Sequence, residues 1–309
     1  MENAMSFEAE LKRRTEEAEA LILKALPEEK GCQKTVLEAM NYSVRAGGKR
    51  LRPVMMKAAY ELAGGKGTLI APFMAAIEMI HSYSLVHDDL PEMDNDELRR
   101  GLPTTHVKYG AAMAVLAGDG LLNFAYETML SSFSFAKGEE REGCIEAMKI
   151  LAEKAGIYGM VGGQCLDVEA EKKELELSKE ELLFVYENKT AALLQASLMT
   201  GAALAGDSKL AGLMEKAGYE LGIAFQLQDD ILDIEGSEEE LGKPIGSDER
   251  NGKKTYVSYL GMESAKEEQK RLSETAAKRI AALEAGDETS KAARDFLSEL
   301  ILYLTGRRK

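Results

Sequence analysis

The sequence predicts an all-α protein, a single large bundle of roughly ten or more helices around a deep apolar cavity. Three observations predict it. Apolar residues recur at the three-and-four spacing of one helical face in segment after segment. No stretch shows the short alternating runs and regular turns of a sheet protein, and no internal repeat sets a period. Two dense aspartate groups, far apart in the chain, are each embedded in an apolar helical segment, so the bundle has to hold charge in its interior. The 309 residues can bury a sizeable core, and 1–309 reads as one domain.

Ser6 to Leu26 places Phe7, Leu11, Ala18, Leu21, Ile22 and Ala25 on one side and stops near Pro27, an amphipathic helix. Thr35 to Val44 is a second helix, broken at Gly47 and Gly48. Lys49, Arg50 and Arg52 follow the break. A Gly-Gly turn lets backbone approach an anion while Lys supplies charge and Arg paired hydrogen bonds, so the turn suits a phosphate; a basic helix start on the surface is the plainer alternative.

Ala71 to Leu90 is apolar on nearly every side, which makes it a buried helix delivering its last residues into the interior. The stretch His81 to Gly101, HSYSLVHDDLPEMDNDELRRG, sets Asp88, Asp89, Asp94, Asp96 and Glu97 between that run and the pair Arg99 and Arg100. Such a cluster costs electrostatic energy without a cation, and hard oxygen donors with no cysteine nearby favour Mg2+. Asp88 and Asp94 would point about 120° apart on an unbroken helix. Pro91 is therefore expected to introduce a bulge that brings both to one site. His81, seven residues before Asp88, looks toward the same site about 20° off its face. Glu78 and His81 also form the ExxH spacing of di-iron bundles, for which neither His87 nor His106 supplies a second copy.

After a turn at Pro103, Thr105 to Leu130 reads as one helix, Ser131 to Glu142 as a solvent loop and Cys144 to Ala155 as the next helix. Gly156 to Asp167 is glycine-rich and suited to close packing, with Gln164 and Asp167 either as partners that orient Arg or water or as members of a structural polar network. Glu169 to Glu181 is a charged connection. Leu182 to Ala205 returns to apolar helix with Lys189 and Thr190 inside it, and a lysine there needs a partner. Leu210 to Glu235 carries FQLQDDILD, in which Gln226, Asp229, Asp230 and Asp233 share one helical face. Gly236 to Tyr256 is polar and broken by glycine and proline, the pattern of a mobile loop. Tyr256 to Leu304 is again helical, and the chain closes on the basic Arg307, Arg308 and Lys309.

Five motifs, in this order, carry a resemblance: GGKRLRP at Gly47 to Pro53, HDDLPEMDNDELRRG, GGQCLD at Gly162 to Asp167, the pair Lys189 and Thr190, and FQLQDDILD. The chain resembles the trans-isoprenyl diphosphate synthases, or polyprenyl synthetases, most closely the bacterial farnesyl diphosphate synthases. The resemblance implies the isoprenoid synthase-like helical fold and Mg2+-dependent, head-to-tail 1'-4 condensation of isopentenyl diphosphate with dimethylallyl and geranyl diphosphate. It assigns about three Mg2+ ions to Asp88, Asp89, Asp94, Asp229, Asp230 and Asp233. It gives the isopentenyl diphosphate to Lys49, Arg52, His81 and Arg100, and the allylic diphosphate to Arg99, Lys189, Lys243 and Lys253. Thr190 and Gln226 would turn oxygen dipoles toward the carbocation. Tyr83, with the small Ser84 beside it, would form the floor that stops the growing chain at fifteen carbons. Closure of the basic tail over the isopentenyl site and a homodimer also follow from the resemblance.

A net charge of −14 argues against nucleic acid as a partner, so anionic substrates require local basic clusters and bound metal. Cys32, Cys144 and Cys165 lack metal-ligand spacing and fit reduced thiols in a cytoplasmic protein. The N-terminus has no apolar core to serve as a secretory signal, and Asp119 interrupts Gly110 to Leu130, so no membrane span is expected. Synthases of ten- or twenty-carbon products, a terpene cyclase, a regulatory subunit and a di-iron bundle are the alternatives. The intact second motif, DDILD, argues against the cyclase and the regulatory subunit.

Overall fold

The computed structural model describes residues 6–235 and 255–306. Lys243, Lys253, Arg307, Arg308 and Lys309 lie outside the described residues, as does nearly all of the segment read as a loop. The helices are α1 (Phe7–Ala25), α2 (Lys34–Arg45), α3 (Leu51–Leu62), α4 (Ala71–Asp88), α5 (Thr105–Tyr109), α6 (Ala111–Leu130), α7 (Glu140–Ala155), α8 (Met160–Lys172) and α9 (Lys179–Val185). A π-helical turn, Tyr186–Ala191, leads into α10 (Ala192–Leu204), followed by α11 (Ser208–Glu235), α12 (Tyr256–Leu260), α13 (Met262–Ala281) and α14 (Glu288–Thr305). The all-α prediction holds.

α4 and α10 form the centre, because each is apolar around its whole circumference. Phe73, Met74, Ile77 and Ile80 of α4 are fully buried, as are Ala196 and Leu198 of α10. α4 packs on α6 and α3, while α10 joins α3, α7 and α11. One core cluster draws residues from α1 through α14.

Four local features depart from the pattern of the sequence. The expected helix Thr105 to Leu130 is two helices, split at Gly110, whose φ of +86° strongly favours glycine. The stretch Leu182 to Ala205 is interrupted by the π turn, which inserts a wide turn where Lys189 and Thr190 sit. α4 ends at Asp88 rather than bulging past Pro91: the Asp94 amide donates to the Asp88 carbonyl at 2.9 Å, so the chain doubles back. Finally, Leu98–Arg99 (β1) pairs antiparallel with Leu102–Pro103 (β2) in a minimal hairpin. Its two loop residues, Arg100 and Gly101, have φ of +55° and +75°, the geometry that matches strand twist in a two-residue loop.

Candidate active site

A cavity of about 780 Å³ opens between α3, α4, α8 and the π turn. Arg52, His81, Tyr83, Asp88, Lys189 and Thr190 are among the side chains that line it. The end of α4 thus delivers Asp88 to a largely apolar hollow, and burial pushes its carboxyl up to about 6 despite the offsetting charge of Lys189; Asp94 nearby adds to the rise. Gln164 on α8 donates to Asp88 Oδ1 at 2.8 Å. One turn later, Asp167 accepts from Lys189 Nζ at 2.6 Å. Both α8 residues therefore hold charged groups at the cavity wall, but their partners are an aspartate and a lysine rather than the arginine or water expected from the sequence. Gly163, just before Gln164, makes this possible: a Cβ there would lie 2.3 Å from the Lys189 backbone nitrogen, so α8 and the π turn approach at a distance only glycine permits.

A basic cluster also borders the cavity. Arg52 is half-buried, its pKa lowered by desolvation, and Arg100 adds to the lowering. Among the described residues no acceptor reaches the buried Arg52 Nε, a donor that an anion would satisfy. The hairpin lays the Arg100 guanidinium against Gly48, where a Cβ would stand 2.8 Å from its Cζ. This brings the second arginine of the first motif to the GGKRLRP turn. His81 is held well below its usual pKa, first by burial and then by Arg52 and Arg100, so its imidazole is neutral at pH 7. A neutral imidazole would donate a hydrogen bond to an anion without supplying charge.

Not every expected residue joins this group. Lys49 is exposed and borders a separate cavity of about 290 Å³ with Leu51, Tyr303 and Leu304. Arg50, the middle cation of the turn, is turned inward: it donates to Glu78 Oε1 at 2.6 Å and to the Val44 carbonyl at 2.6 Å, and its Nε meets Glu19. Glu78 is therefore the partner of a buried arginine, and the ExxH spacing does not make a metal site. Arg99 closes on Asp89, with Nε and an NH2 group both within 2.7 Å of Oδ1, and reaches Asp96 at 3.4 Å. Asp89, Asp230 and Asp233 are all buried.

Part of the cavity wall is aromatic. Tyr83 is 6% exposed, and its hydroxyl is pushed up to about 12 by burial, with Tyr126 and Asp88 adding to the rise. His87 stands edge-on to it at 5.8 Å between ring centres and donates to the Val115 carbonyl at 3.1 Å. Ser84 turns its hydroxyl back to the His81 carbonyl.

From α11, Gln226 reaches Thr190: the Thr190 hydroxyl donates to Gln226 Oε1 at 2.9 Å. Gln226 Nε2 lies 3.3 Å from Asp230 Oδ1, and the Tyr186 hydroxyl donates to Asp230 Oδ2. Tyr186 has no place among the motifs. Its signal in the sequence is a phenol inside an apolar segment, which needs a partner when buried.

The donor set suits Mg2+: hard carboxylate oxygens beside a cluster of arginines that would take phosphate oxygens. Among the described residues no three or more His, Cys, Asp or Glu side chains converge to hold an ion alone.

A helical bundle whose apolar cavity is bordered by a carboxylate, a lysine and arginines defines a class, an enzyme acting on the diphosphate ester of an apolar chain. The polyprenyl synthetase family model matches residues 33–293, and the chain belongs to that family. It is a prenyltransferase. The farnesyl diphosphate synthase of Geobacillus stearothermophilus is 46% identical over 234 residues, 74% of this chain and 76% of that protein. The Escherichia coli farnesyl diphosphate synthase is 45% identical over 240 residues, 77% and 79% of the two chains. The Helicobacter pylori geranyltransferase, solved with magnesium and isoprenyl diphosphate, superposes with a TM-score of 0.83 at 31% identity, covering 99% of this chain and 100% of that one.

Proposed function

We propose that this chain is a farnesyl diphosphate synthase, joining isopentenyl diphosphate head to tail with dimethylallyl and then geranyl diphosphate. The observation that carries the reading is the cavity itself, which brings Asp88, Lys189, neutral His81, Arg52 and Tyr83 to one largely apolar hollow. Residues 1–309 act as one catalytic domain, a reading supported by the core shared from α1 to α14.

Asp88, Asp94 and Asp229 are the residues we assign to Mg2+, about three ions by analogy with other enzymes of this type. When bound, the metal neutralises the diphosphate and makes it a leaving group. Lys189, held by Asp167, takes an oxygen of the allylic diphosphate. The C1–O bond breaks, the pair of electrons leaves with the diphosphate, and Thr190 and Gln226 face the allylic cation with oxygen atoms. Arg52, Arg100 and His81 hold isopentenyl diphosphate so that its double bond supplies the electrons of the new C–C bond. The proton then lost goes to the departing diphosphate, since no carboxylate or neutral amine of the cavity is assigned to take it. The apolar wall excludes water that would quench the cation.

Incubation with isopentenyl diphosphate and Mg2+, with dimethylallyl or geranyl diphosphate in separate reactions, should give a fifteen-carbon diphosphate from both, abolished by EDTA. A ten- or twenty-carbon product would refute the product assignment, and no prenyl product would refute the whole reading. Tyr83→Ala should shift the product to twenty carbons or more, because the ring is the buried end of the cavity; an unchanged product by chromatography removes it from the floor.

Two further readings concern the setting. The helices α5 and α6 expose Val107, Val115, Leu116 and Leu130, an apolar surface that supports a homodimer. Sedimentation should give twice the 33.8 kDa chain mass, falling to the monomer when Leu116 and Leu130 become Glu. Among the described residues no helix is long and apolar enough to cross a membrane. The free thiols of Cys32, Cys144 and Cys165 support a cytoplasmic location.

A further inference from the structure

Asp230 has a different setting from its neighbours in the second aspartate motif. It is 2% exposed and is met by donors from three elements. The Tyr186 hydroxyl of the π turn donates to Oδ2. The backbone amide of Tyr256, the first residue of α12, lies 3.3 Å from the same Oδ2 and 3.1 Å from the Tyr186 hydroxyl oxygen, closing a triangle. Gln226, one turn back on α11, presents Nε2 to Oδ1.

The consequence falls on the Gln226 amide. Its two ends are nearly equal in shape and opposite in polarity, so only hydrogen-bond partners decide which end faces which way. With Nε2 directed at the Asp230 carboxylate, Oε1 has to face Thr190, and the Thr190 hydroxyl spends its proton on that oxygen. Thr190, which lines the cavity, then offers it an oxygen lone pair rather than a proton. A flipped amide would set Oε1 against the carboxylate, acceptor against acceptor, and turn Thr190's partner into a donor. The fixed orientation is the one a developing carbocation requires.

We propose that Tyr186 and Asp230 are positioning residues for the reaction: together they lock the Gln226 amide so that oxygen, not nitrogen, faces Thr190 and the allylic cation. This rests on the prenyl transfer reading above. It separates Asp230 from the metal-binding carboxylates, since its oxygens are committed to Tyr186, Tyr256 and Gln226. The triangle also explains why the π turn, α11 and α12 have to be in register before the site is complete: each contributes one vertex.

The test is a double-mutant cycle on the purified enzyme, run once prenyl transfer by the unaltered chain has been measured, so that failure of the function reading is seen first. Tyr186→Phe should lower kcat about tenfold, with the KM of both substrates and the half-saturating Mg2+ concentration within twofold of the parent. In a Gln226→Ala background the same change should cost nothing further, because the residue it acts through is gone. Additive losses in the cycle, or a full kcat for Tyr186→Phe, would overturn the proposal. Asp230→Asn tests the same lock from its other side and guards against a Tyr186 variant that fails to fold. It should lower kcat at an unchanged Mg2+ requirement, whereas a several-fold rise in that requirement would return Asp230 to the metal.

Discussion

Asp88→Asn should lose about 10²–10³-fold or more in kcat/KM while folding at least as well as the parent. The two effects have one cause. Burial holds the Asp88 carboxyl at about 6, above its ordinary 3.8, so the native state resists the charge that the unfolded chain accepts freely. For a carboxylate with a raised folded value, the cost to stability appears as pH rises through 3.8 and is complete above 6. Asparagine removes that cost and keeps a side chain that can face Gln164. In EDTA at pH 7.5, Asp88→Asn should therefore melt no lower than the parent, while Mg2+ should raise the melting temperature of the parent and not of the variant. A variant with normal turnover would end the assignment of Asp88 to the metal.

Glu78→Ala should be the most destabilising single change in the described part of the chain, about 3–5 kcal/mol, with a fall in melting temperature on the order of 10 °C. Arg50 and Glu78 are each 2% exposed and meet at 2.6 Å between α4 and the turn before α3. Removing the carboxylate leaves a buried guanidinium with Glu19 as its remaining carboxylate partner, and Glu19 is a third exposed on its side chain. Arg50→Met with Glu78→Leu should recover most of the loss, because an apolar pair avoids the desolvation cost that the ion pair has to offset. Thermal melts of the two single variants and the double decide it. If Glu78→Ala melts within a degree or two of the parent, the buried pair contributes little.

Much of the site was legible in the sequence because its chemistry is dense and local. Asp88, Asp89 and Asp94 stand within seven residues of one another, and Gln226, Asp229, Asp230 and Asp233 share a helical face by spacing alone. Gln164 and Asp167 were legible as polar residues beside the site, but not their partners: spacing suggested Arg or water, and the fold supplies Asp88 to Gln164 and Lys189 to Asp167. Three other assignments depended on contacts no spacing encodes. Arg50 and Arg52 are two residues apart in the same basic turn, yet the fold gives Arg50 to Glu78 and leaves Arg52 at the cavity. Lys49, their neighbour, borders a different hollow beside Tyr303.

The sequence by itself determined the class of the protein: the buried helices, the two carboxylate groups, the basic turn and the aromatic before Asp88 are all properties of short windows. Tertiary structure decided what each polar group does. Whether a buried carboxylate binds metal, pairs with arginine or orients an amide depends on which side chain arrives from a remote element. Glu78 meets an arginine 28 residues away, and Asp230 a tyrosine 44 residues away. Burial makes each such choice energetically decisive, because a polar group removed from water must find its partner in the protein or a ligand.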